Sequence, residues 1–271
     1  DSSLFLMVIL MIIGASPAST GGGIKTTTLA VILMSAWAVL RGRNDIVIFE
    51  RKVSKKAVNK AFSRGMDRVD RLAQLGFVVV TVGNRGGHPA RSKWYHNYGY
   101  NNLRDYGLAD KKAAAEQLAD RFSFIDINKV GIHGHSGGGF MSTAAMLVYP
   151  DFFKVAVSNA GNHDNSIYNR WWSEKHNGVK EIISDKGDTS FAYSIDKNPD
   201  VAKNLKGHLL LIHGEIDNNV HPANTMRVVN ALINANKRFD MLLLPTQRHG
   251  FGSMSEYWFW KTADYFSTWL L

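Results

Sequence analysis

The second part of the chain alternates short apolar runs with longer stretches of helical periodicity. Five runs have the length and apolar character of buried strands, and they cover residues 76–82, 129–133, 155–158, 208–213 and 241–244. Between them, apolar residues recur every three or four positions, which predicts helices over 66–75, 108–122, 138–148, 222–236 and from 256 onward. Apolar strands that alternate with helices are typical of a parallel sheet with helices on both faces. The sequence therefore predicts an α/β domain.

The first part of the chain has a different pattern. Residues 4–14 and 26–40 are apolar and uncharged, and a loop rich in serine, threonine and glycine separates them. Each run is shorter than the ~20 residues that a membrane-spanning helix needs. A short apolar helix, a polar loop and a second apolar helix outline a re-entrant pore loop, whose non-helical backbone lines a cavity at membrane depth.

Two other interpretations of the first part fit less well. A secretory signal peptide would begin with Lys or Arg, whereas this chain begins with Asp1, and a second apolar run follows where a mature domain should start. A phosphate-binding P-loop needs a glycine directly before its lysine, but Ile24 precedes Lys25.

The charge distribution bears on the partners of the chain. The formal net charge is +9, and residues 41–60 contribute seven Lys or Arg against two acids. Because this basic stretch follows an apolar run, it favours a membrane flank over a nucleic-acid groove, and no DNA- or RNA-reading motif is present. The same bias would place the domain that follows in the cytoplasm. The absence of cysteine excludes a thiolate nucleophile and cysteine-based metal sites.

A glycine-rich pentapeptide supplies the first candidate for catalysis. Residues 134–138 fit the pattern G-x-S-x-G and lie between a predicted strand and a predicted helix. A serine at such a sharp turn needs small neighbours, and its hydroxyl is then exposed as a nucleophile. Ser136 is therefore a candidate nucleophile, with the backbone N–H of Gly137 as an oxyanion donor. The alternative is an ordinary glycine-rich turn that contains an incidental serine.

A base and an orienting acid follow in the order that α/β-hydrolases use. Asp217 comes directly after the predicted strand 208–213, and His249 follows the predicted strand 241–244. In this hypothesis Ser136 attacks, His249 takes and returns the proton, and Asp217 holds the imidazolium.

The remaining histidines do not indicate a metal site. His133 and His135 are spaced to lie on one face of a strand, but no third ligand follows at a recognisable spacing. We expect neither a metal nor another cofactor. Asp126 and Asp185 follow no sheet strand, which makes them candidates for turn or capping residues.

The second part resembles the catalytic domain of the prolyl oligopeptidase family, and within it the dipeptidyl peptidase IV branch. The resemblance rests on the motifs at residues 75–86, 134–139, 213–220 and 248–250. It implies an α/β-hydrolase fold and a serine peptidase that cleaves peptides through an acyl-enzyme. It also implies that Asn219 binds a substrate carbonyl, that Val220 and Tyr168 line the S1 pocket, and that Trp172 extends its wall. An esterase with the same triad is an alternative, since only the pocket separates the two activities.

The chain departs from this family in three respects. Relatives carry a β-propeller, which holds the amino end of the peptide, and an upstream loop with a tyrosine that completes the oxyanion hole. We expect both to be missing here, together with the first strands of the sheet. Loss of one oxyanion donor lowers rates by ~10²–10³, so the resemblance implies a weakened peptidase.

Residues 4–55 resemble the last pore-loop repeat of Trk/Ktr-type potassium transporter subunits, at residues 18–28 and 40–45. The resemblance implies an all-α membrane fragment in which Thr20, Gly21, Gly22 and Gly23 form one quarter of an ion filter. We therefore expect two domains, residues 1–55 and 56–271, joined as a chimera. Residues 4–40 would contact the membrane. The chain could also form an oligomer. A potassium transporter component with a hydrolase-like appendage is a further alternative. Many relatives of the peptidase are secreted or periplasmic, so the localisation stays open.

Overall fold

The computed structural model describes residues 46–48, 51–53, 68–87, 90–192 and 195–271. Contacts between Cα atoms divide the chain into two compact units. The first comprises residues 1–83 and 87–96, and the second comprises residues 84–86 and 97–271.

The first unit contains two short strands and two short helices among its described residues. Strands β1 (Ile46–Ile48) and β2 (Arg51–Val53) pair as an antiparallel hairpin, and α1 (Arg68–Gln74) and α2 (Lys93–His96) follow. The all-α prediction for residues 1–55 is thus wrong at this hairpin, where the β-branched residues of both strands favour extended backbone. The pore-loop prediction, with Thr20 and the glycines after it, lies outside the described residues. In the part of the chain that the structure describes, none of the helices combines the length and hydropathy that a membrane span requires.

The predicted strand at residues 76–82 is not formed. After α1 the chain turns at Gly76, whose φ is +95°, and then continues without joining any strand ladder of the described residues. Val78 and Val80 are 54% and 49% exposed. An apolar run becomes a buried strand only where a neighbouring strand pairs with its backbone. The apolar pattern alone does not supply that neighbour.

The second unit is an α/β domain. Its helices and strands are, in chain order, α3 (Leu108–Arg121), β3 (Val130–His135), α4 (Gly137–Val148), β4 (Phe153–Asn159), α5 (Arg170–Asn177), β5 (Lys180–Ile183), β6 (Thr189–Ala192), β7 (His208–Gly214), α6 (Ala223–Asn234), β8 (Asp240–Leu244) and α7 (Ser255–Leu270). The main sheet has the order β3-β4-β7-β8, and all its pairs are parallel. Four of the five predicted strands are therefore confirmed.

Helices cover both faces of this sheet. Ala156 of β4 and Leu211 of β7 belong to one fully buried cluster with Ala144–Leu147 of α4 and with Leu232 of α6. Gly131 of β3 faces the other way, since a Cβ there would meet α7 side chains at 2.7 Å. Because successive strand residues point to opposite faces, α4 and α6 cover one face and α7 the other. The predicted two-sided arrangement is confirmed.

Strands β5 and β6 form a separate antiparallel hairpin that the sequence pattern did not predict. Ile183 and Phe191, on its strands, are 67% and 69% exposed. The strands are only four residues long and mix charged with apolar positions, so they lack the apolar run that marks a buried strand.

A histidine is buried in the loop that follows β4. His163 has no exposed surface, and its Nδ1 lies 3.0 Å from the amide nitrogen of Asn198, which also donates to the carbonyl of Phe140. Nδ1 therefore accepts, and the ring is neutral. Burial, and secondly the nearby His213, lower the pKa of His163 from 6.5 to about 3.

The neutral state of His163 makes the stability of the domain depend on pH. The unfolded chain binds a proton at His163 below pH 6.5, whereas the folded chain does not, so the free energy of unfolding should fall as the pH drops. The loss should be about 2 kcal/mol between pH 8 and pH 5. Urea unfolding of the full chain measures it. His163→Asn, which keeps an acceptor for Asn198, should remove most of this dependence.

Replacement of the exposed His208 by Asn is the control, and it should leave the dependence in place. An equal pH dependence in the His163→Asn variant and the unsubstituted chain would refute the assignment.

Candidate active site

The parallel sheet brings four loops to one edge. His135 at the end of β3 pairs with Asn159 of β4, Asn159 pairs with Ile212 of β7, and Gly214 of β7 pairs with Leu244 of β8. All four strands therefore end at the same level, as in open α/β sheets whose ligands lie beyond the carboxyl ends of the strands. Ser136, Asp217 and His249 lie in loops that leave this edge.

Ser136 occupies a strained turn between β3 and α4. Its φ of 61° and ψ of −120° are unusual for a residue with a side chain. The turn is fixed from β4, because the N–H of Ser136 donates to the carbonyl of Asn159 at 2.8 Å, and the Asn159 side chain donates to the carbonyl of Gly134 at 2.9 Å. This is the geometry expected for an exposed nucleophile.

Gly134 and Gly139 each lie so close to the backbone of another residue that no side chain fits. A Cβ at Gly134 would collide with the backbone of Gly138, and one at Gly139 would collide with the carbonyl of Asn159. Gly137 and Gly138 have open space at the corresponding position. Gly137 is the first residue of α4, where backbone N–H groups have no partner within the helix. Its predicted role as an oxyanion donor is compatible with this place.

Asp217 lies in the turn after β7 and is 3% exposed. One carboxylate oxygen, Oδ1, accepts the N–H groups of Asn219 at 2.9 Å and of Val220 at 3.0 Å. The other, Oδ2, lies 2.7 Å from Nδ1 of His249. A carboxylate only accepts, so His249 donates from Nδ1, and its Nε2 is left to act as a base.

His249 lies beside the nucleophile turn. Its ring centroid is 4.7 Å from that of His135, the residue directly before Ser136, and His135 also packs against Phe251 at 5.2 Å. Among the described residues, no hydrogen bond joins Oγ of Ser136 to the imidazole. Catalytic hydrogen bonds are often long in free enzymes and tighten when substrate binds.

A second histidine adjoins the same carboxylate. His213 at the end of β7 is completely buried, and its Nε2 lies 2.8 Å from the carbonyl of Val220 and 3.3 Å from Oδ2 of Asp217. Its Nδ1 lies 2.7 Å from the hydroxyl of Thr225. Burial lowers the pKa of His213, although the carbonyl of Val220 and the charge of Asp217 oppose this shift.

An aromatic wall extends from the Asp217 turn along α5. The hydroxyl of Tyr168 lies 3.4 Å from Oδ1 of Asn219, the Tyr168 ring contacts Trp172 at 5.4 Å, and Trp172 contacts His176 at 4.4 Å. Burial, and secondly Asp217, raise the pKa of Tyr168. The structure brings Tyr168, Trp172 and Asn219 together. The neighbouring Trp171 is 83% exposed and does not join the wall.

Val220 is fully buried, and its backbone closes the Asp217 turn. Its predicted place in the S1 pocket stays a prediction.

Among the described residues, no group of three or more His, Asp or Glu side chains is arranged to hold a metal ion. His135 contacts His249, whereas His133 contacts Phe266 of α7.

The sequence pattern did not indicate the contacts that His135 and His213 make around the candidate triad. The spacing of four residues between His213 and Asp217, at the end of an apolar strand, was an available signal. The partner of His213, Thr225, lies on α6, and only the fold brings it to the ring.

Two protein-family models match the chain. The model of the prolyl oligopeptidase family, Peptidase_S9, matches residues 65–271. The TrkH model, described as a cation transport protein, matches residues 1–81, most of which lie outside the described residues.

Several characterised proteins are similar to this chain. It is 32% identical to dipeptidyl peptidase 8 of Homo sapiens over 182 residues, which are 67% of this chain and 20% of that protein. It is 30% identical to dipeptidyl peptidase 4 of Trichophyton rubrum over 173 residues, which are 62% of this chain and 21% of that protein. The chain spans about a fifth of the length of these relatives.

Two solved structures of dipeptidyl peptidases are also similar to this chain. A putative dipeptidyl aminopeptidase IV from Bacteroides ovatus and dipeptidyl peptidase 4 from Porphyromonas gingivalis each match with a TM-score of 0.59 and 27% identity. Each match covers 69% of this chain and 26% of the other chain. The fold, the strained serine turn and the matched residues 65–271 lead to one conclusion: the chain belongs to the prolyl oligopeptidase family of serine peptidases.

Proposed function

We propose that this chain hydrolyses peptide bonds through a Ser136–His249–Asp217 triad, as a peptidase of the dipeptidyl or prolyl oligopeptidase type. The observation that carries the proposal is the 2.7 Å contact between Asp217 and His249, whose ring packs on the residue next to the strained serine. Dipeptidyl peptidases among the similar proteins support the peptide substrate.

The reaction follows from this arrangement. Oγ of Ser136 attacks the carbonyl carbon of the scissile bond while Nε2 of His249 takes its proton. The imidazolium is stabilised by Asp217, and the oxyanion accepts the N–H of Gly137 near the positive end of α4. His249 then protonates the leaving amine, which gives an acyl-enzyme. Water, deprotonated by the same imidazole, attacks the ester carbonyl. His249 then returns that proton to Oγ of Ser136 as the ester bond breaks, and the acyl part of the substrate leaves as a carboxylic acid.

The aromatic wall supports a role in binding the residue before the scissile bond. Asn219 is exposed beside Tyr168 and lies two residues beyond the orienting acid, so it is placed to donate to a substrate carbonyl. Tyr168 and Trp172 would offer apolar ring surface to the side chain of that residue.

Replacement of Ser136 by Ala should remove activity. We expect turnover of a prolyl dipeptide anilide to fall by at least about 10⁴-fold, to the uncatalysed background, since the nucleophile is lost. A fluorophosphonate probe should label Ser136 in the unsubstituted chain, as peptide mass spectrometry would show. Ser190→Ala, on the exposed β6, is the control.

The same assay with a short acyl ester tests the alternative activity. Turnover of the ester without any turnover of the anilide would replace the peptidase by an esterase. Labelling at another serine would contradict the assigned nucleophile.

Replacement of Asp217 by Asn should lower kcat by about 10⁴-fold with little change in KM. All the contacts of the buried carboxylate come from donors, so an amide NH₂ would face at least one of them and disturb the orientation of His249. Steady-state kinetics measure the change. Asp185→Asn, in the exposed turn of the β5–β6 hairpin, is the control and should behave like the unsubstituted chain. An Asp217→Asn variant with near-normal kcat would exclude Asp217 as the orienting acid.

The two adjacent tryptophans should differ. Trp172→Ala removes the ring that packs on Tyr168 and should raise KM for the dipeptide anilide about tenfold, because a buried aromatic contact contributes about 1 kcal/mol or more. Trp171→Ala, at an 83% exposed position, is the matched control and should leave KM within about twofold. Equal effects of the two substitutions would argue against the aromatic wall as a binding surface.

A further inference from the structure

We propose that His213 and Thr225 position the triad: His213, locked as the Nε2–H tautomer, holds the turn that carries Asp217 and shares the carboxylate oxygen that His249 uses. This inference rests on the proposed triad. It adds a second imidazole to the contacts of Asp217, the acidic member of that triad.

The tautomer of His213 follows from the partners of Nε2. That nitrogen lies 2.8 Å from the carbonyl oxygen of Val220 and 3.3 Å from Oδ2 of Asp217. Both partners only accept hydrogen bonds, and a lone pair on Nε2 would be repelled by each. Nε2 therefore carries the proton and donates mainly to the carbonyl of Val220, with a longer contact to Asp217.

The other ring nitrogen is then the acceptor. Nδ1 lies 2.7 Å from the hydroxyl of Thr225, which is 1% exposed on the first turn of α6. In a neutral ring Nδ1 has a lone pair, so the hydroxyl donates to it. Thr225 thus satisfies the second nitrogen and fixes the orientation of the imidazole, while the partners of Nε2 set the tautomer.

Sharing of Oδ2 has an electrostatic consequence. The negative charge of Asp217 stabilises the imidazolium that His249 becomes during the reaction. A donor on the same oxygen takes up part of that charge and holds the carboxylate in the direction of His249. When the donor is lost or turned, that direction is less well fixed, so kcat should fall.

Several titratable groups face this pair and have to be separated in any pH experiment. Asp217 lies between the two imidazoles, and His135 packs on His249 from β3. Tyr168 faces Asp217 from the loop after β4, and His163, from the same loop, is electrostatically coupled to His213.

The first test does not depend on activity. Long-range ¹H–¹⁵N spectra of the full chain, labelled at histidine, should show two imidazoles fixed as the Nε2–H tautomer between pH 6 and pH 9, those of His163 and His213. The His213→Gln variant should lack one of the two sets of signals, which assigns that set to His213. Thr225→Val should leave the tautomer unchanged and move the ¹⁵N signal of Nδ1, which loses its hydrogen bond. An Nδ1–H tautomer of His213 in the unsubstituted chain would overturn the proposal.

The second test separates kcat from KM for a dipeptide anilide. Thr225→Val should lower kcat by about three- to tenfold, the loss of one hydrogen bond, and leave KM within about twofold. Thr262→Val, a buried threonine on α7 whose hydroxyl binds a helix carbonyl, is the matched control and should leave both constants in place.

Three further variants make the assignment decisive. His213→Gln keeps an N–H donor and should retain more activity than His213→Leu. The loss of kcat in Thr225→Val should persist when this change is combined with His135→Phe, which removes the other imidazole near His249. A loss that disappears in this double variant, or a kcat that falls only with the folded fraction, overturns the positioning role.

The peptidase proposal and the role of His213 would be contradicted by different results. Absence of turnover together with a fixed Nε2–H tautomer contradicts the peptidase proposal and leaves the arrangement of His213 intact. Turnover together with the opposite tautomer contradicts only the role of His213.

Discussion

The burial of one carboxylate constrains most of the candidate site. Asp217 is almost fully enclosed, and an ionised carboxylate in that environment is tolerated only when its lone pairs are satisfied. Two backbone N–H groups of its own turn satisfy Oδ1, and imidazoles satisfy Oδ2. The turn from residue 214 to residue 220 is therefore shaped around the acid. Because the same turn presents Asn219 and Val220, the orienting group and the predicted substrate contacts share one rigid unit.

The parallel register converts this local constraint into a site. Strands β3, β4, β7 and β8 end within two residues of one level, so the serine turn, the Asp217 turn and the His249 loop leave the same edge of the sheet. The strained backbone of Ser136 persists because Asn159 holds it through two hydrogen bonds from the neighbouring strand. Strain at Ser136 is thus balanced by contacts of β4.

The sequence predicted those parts of the molecule in which local pattern and global fold agree. The shared edge of the loops that carry Ser136, Asp217 and His249 was predictable, because each residue follows an apolar run and a parallel sheet sends such positions to one edge. The run at residues 76–82 has the same apolar character but forms no strand, since pairing depends on a neighbour that composition does not encode. The β5–β6 hairpin escaped prediction for the opposite reason, because its strands pair without an apolar run. The contact of His213 with Thr225 joins a strand to a helix and requires the fold.

Burial also determines which imidazole beside Asp217 stays neutral. If His213 were protonated, it would form an ion pair with Asp217 and compete directly with His249 for the same oxygen. Desolvation holds the pKa of His213 down, and the enclosed His163 nearby is held neutral more strongly still. His249, which is 23% exposed at its side chain, is the imidazole left with access to solvent and to the nucleophile. The hydrophobic packing around β7 therefore does more than stabilise the sheet: it keeps His213 a neutral donor, which shares Oδ2 with His249 without forming an ion pair.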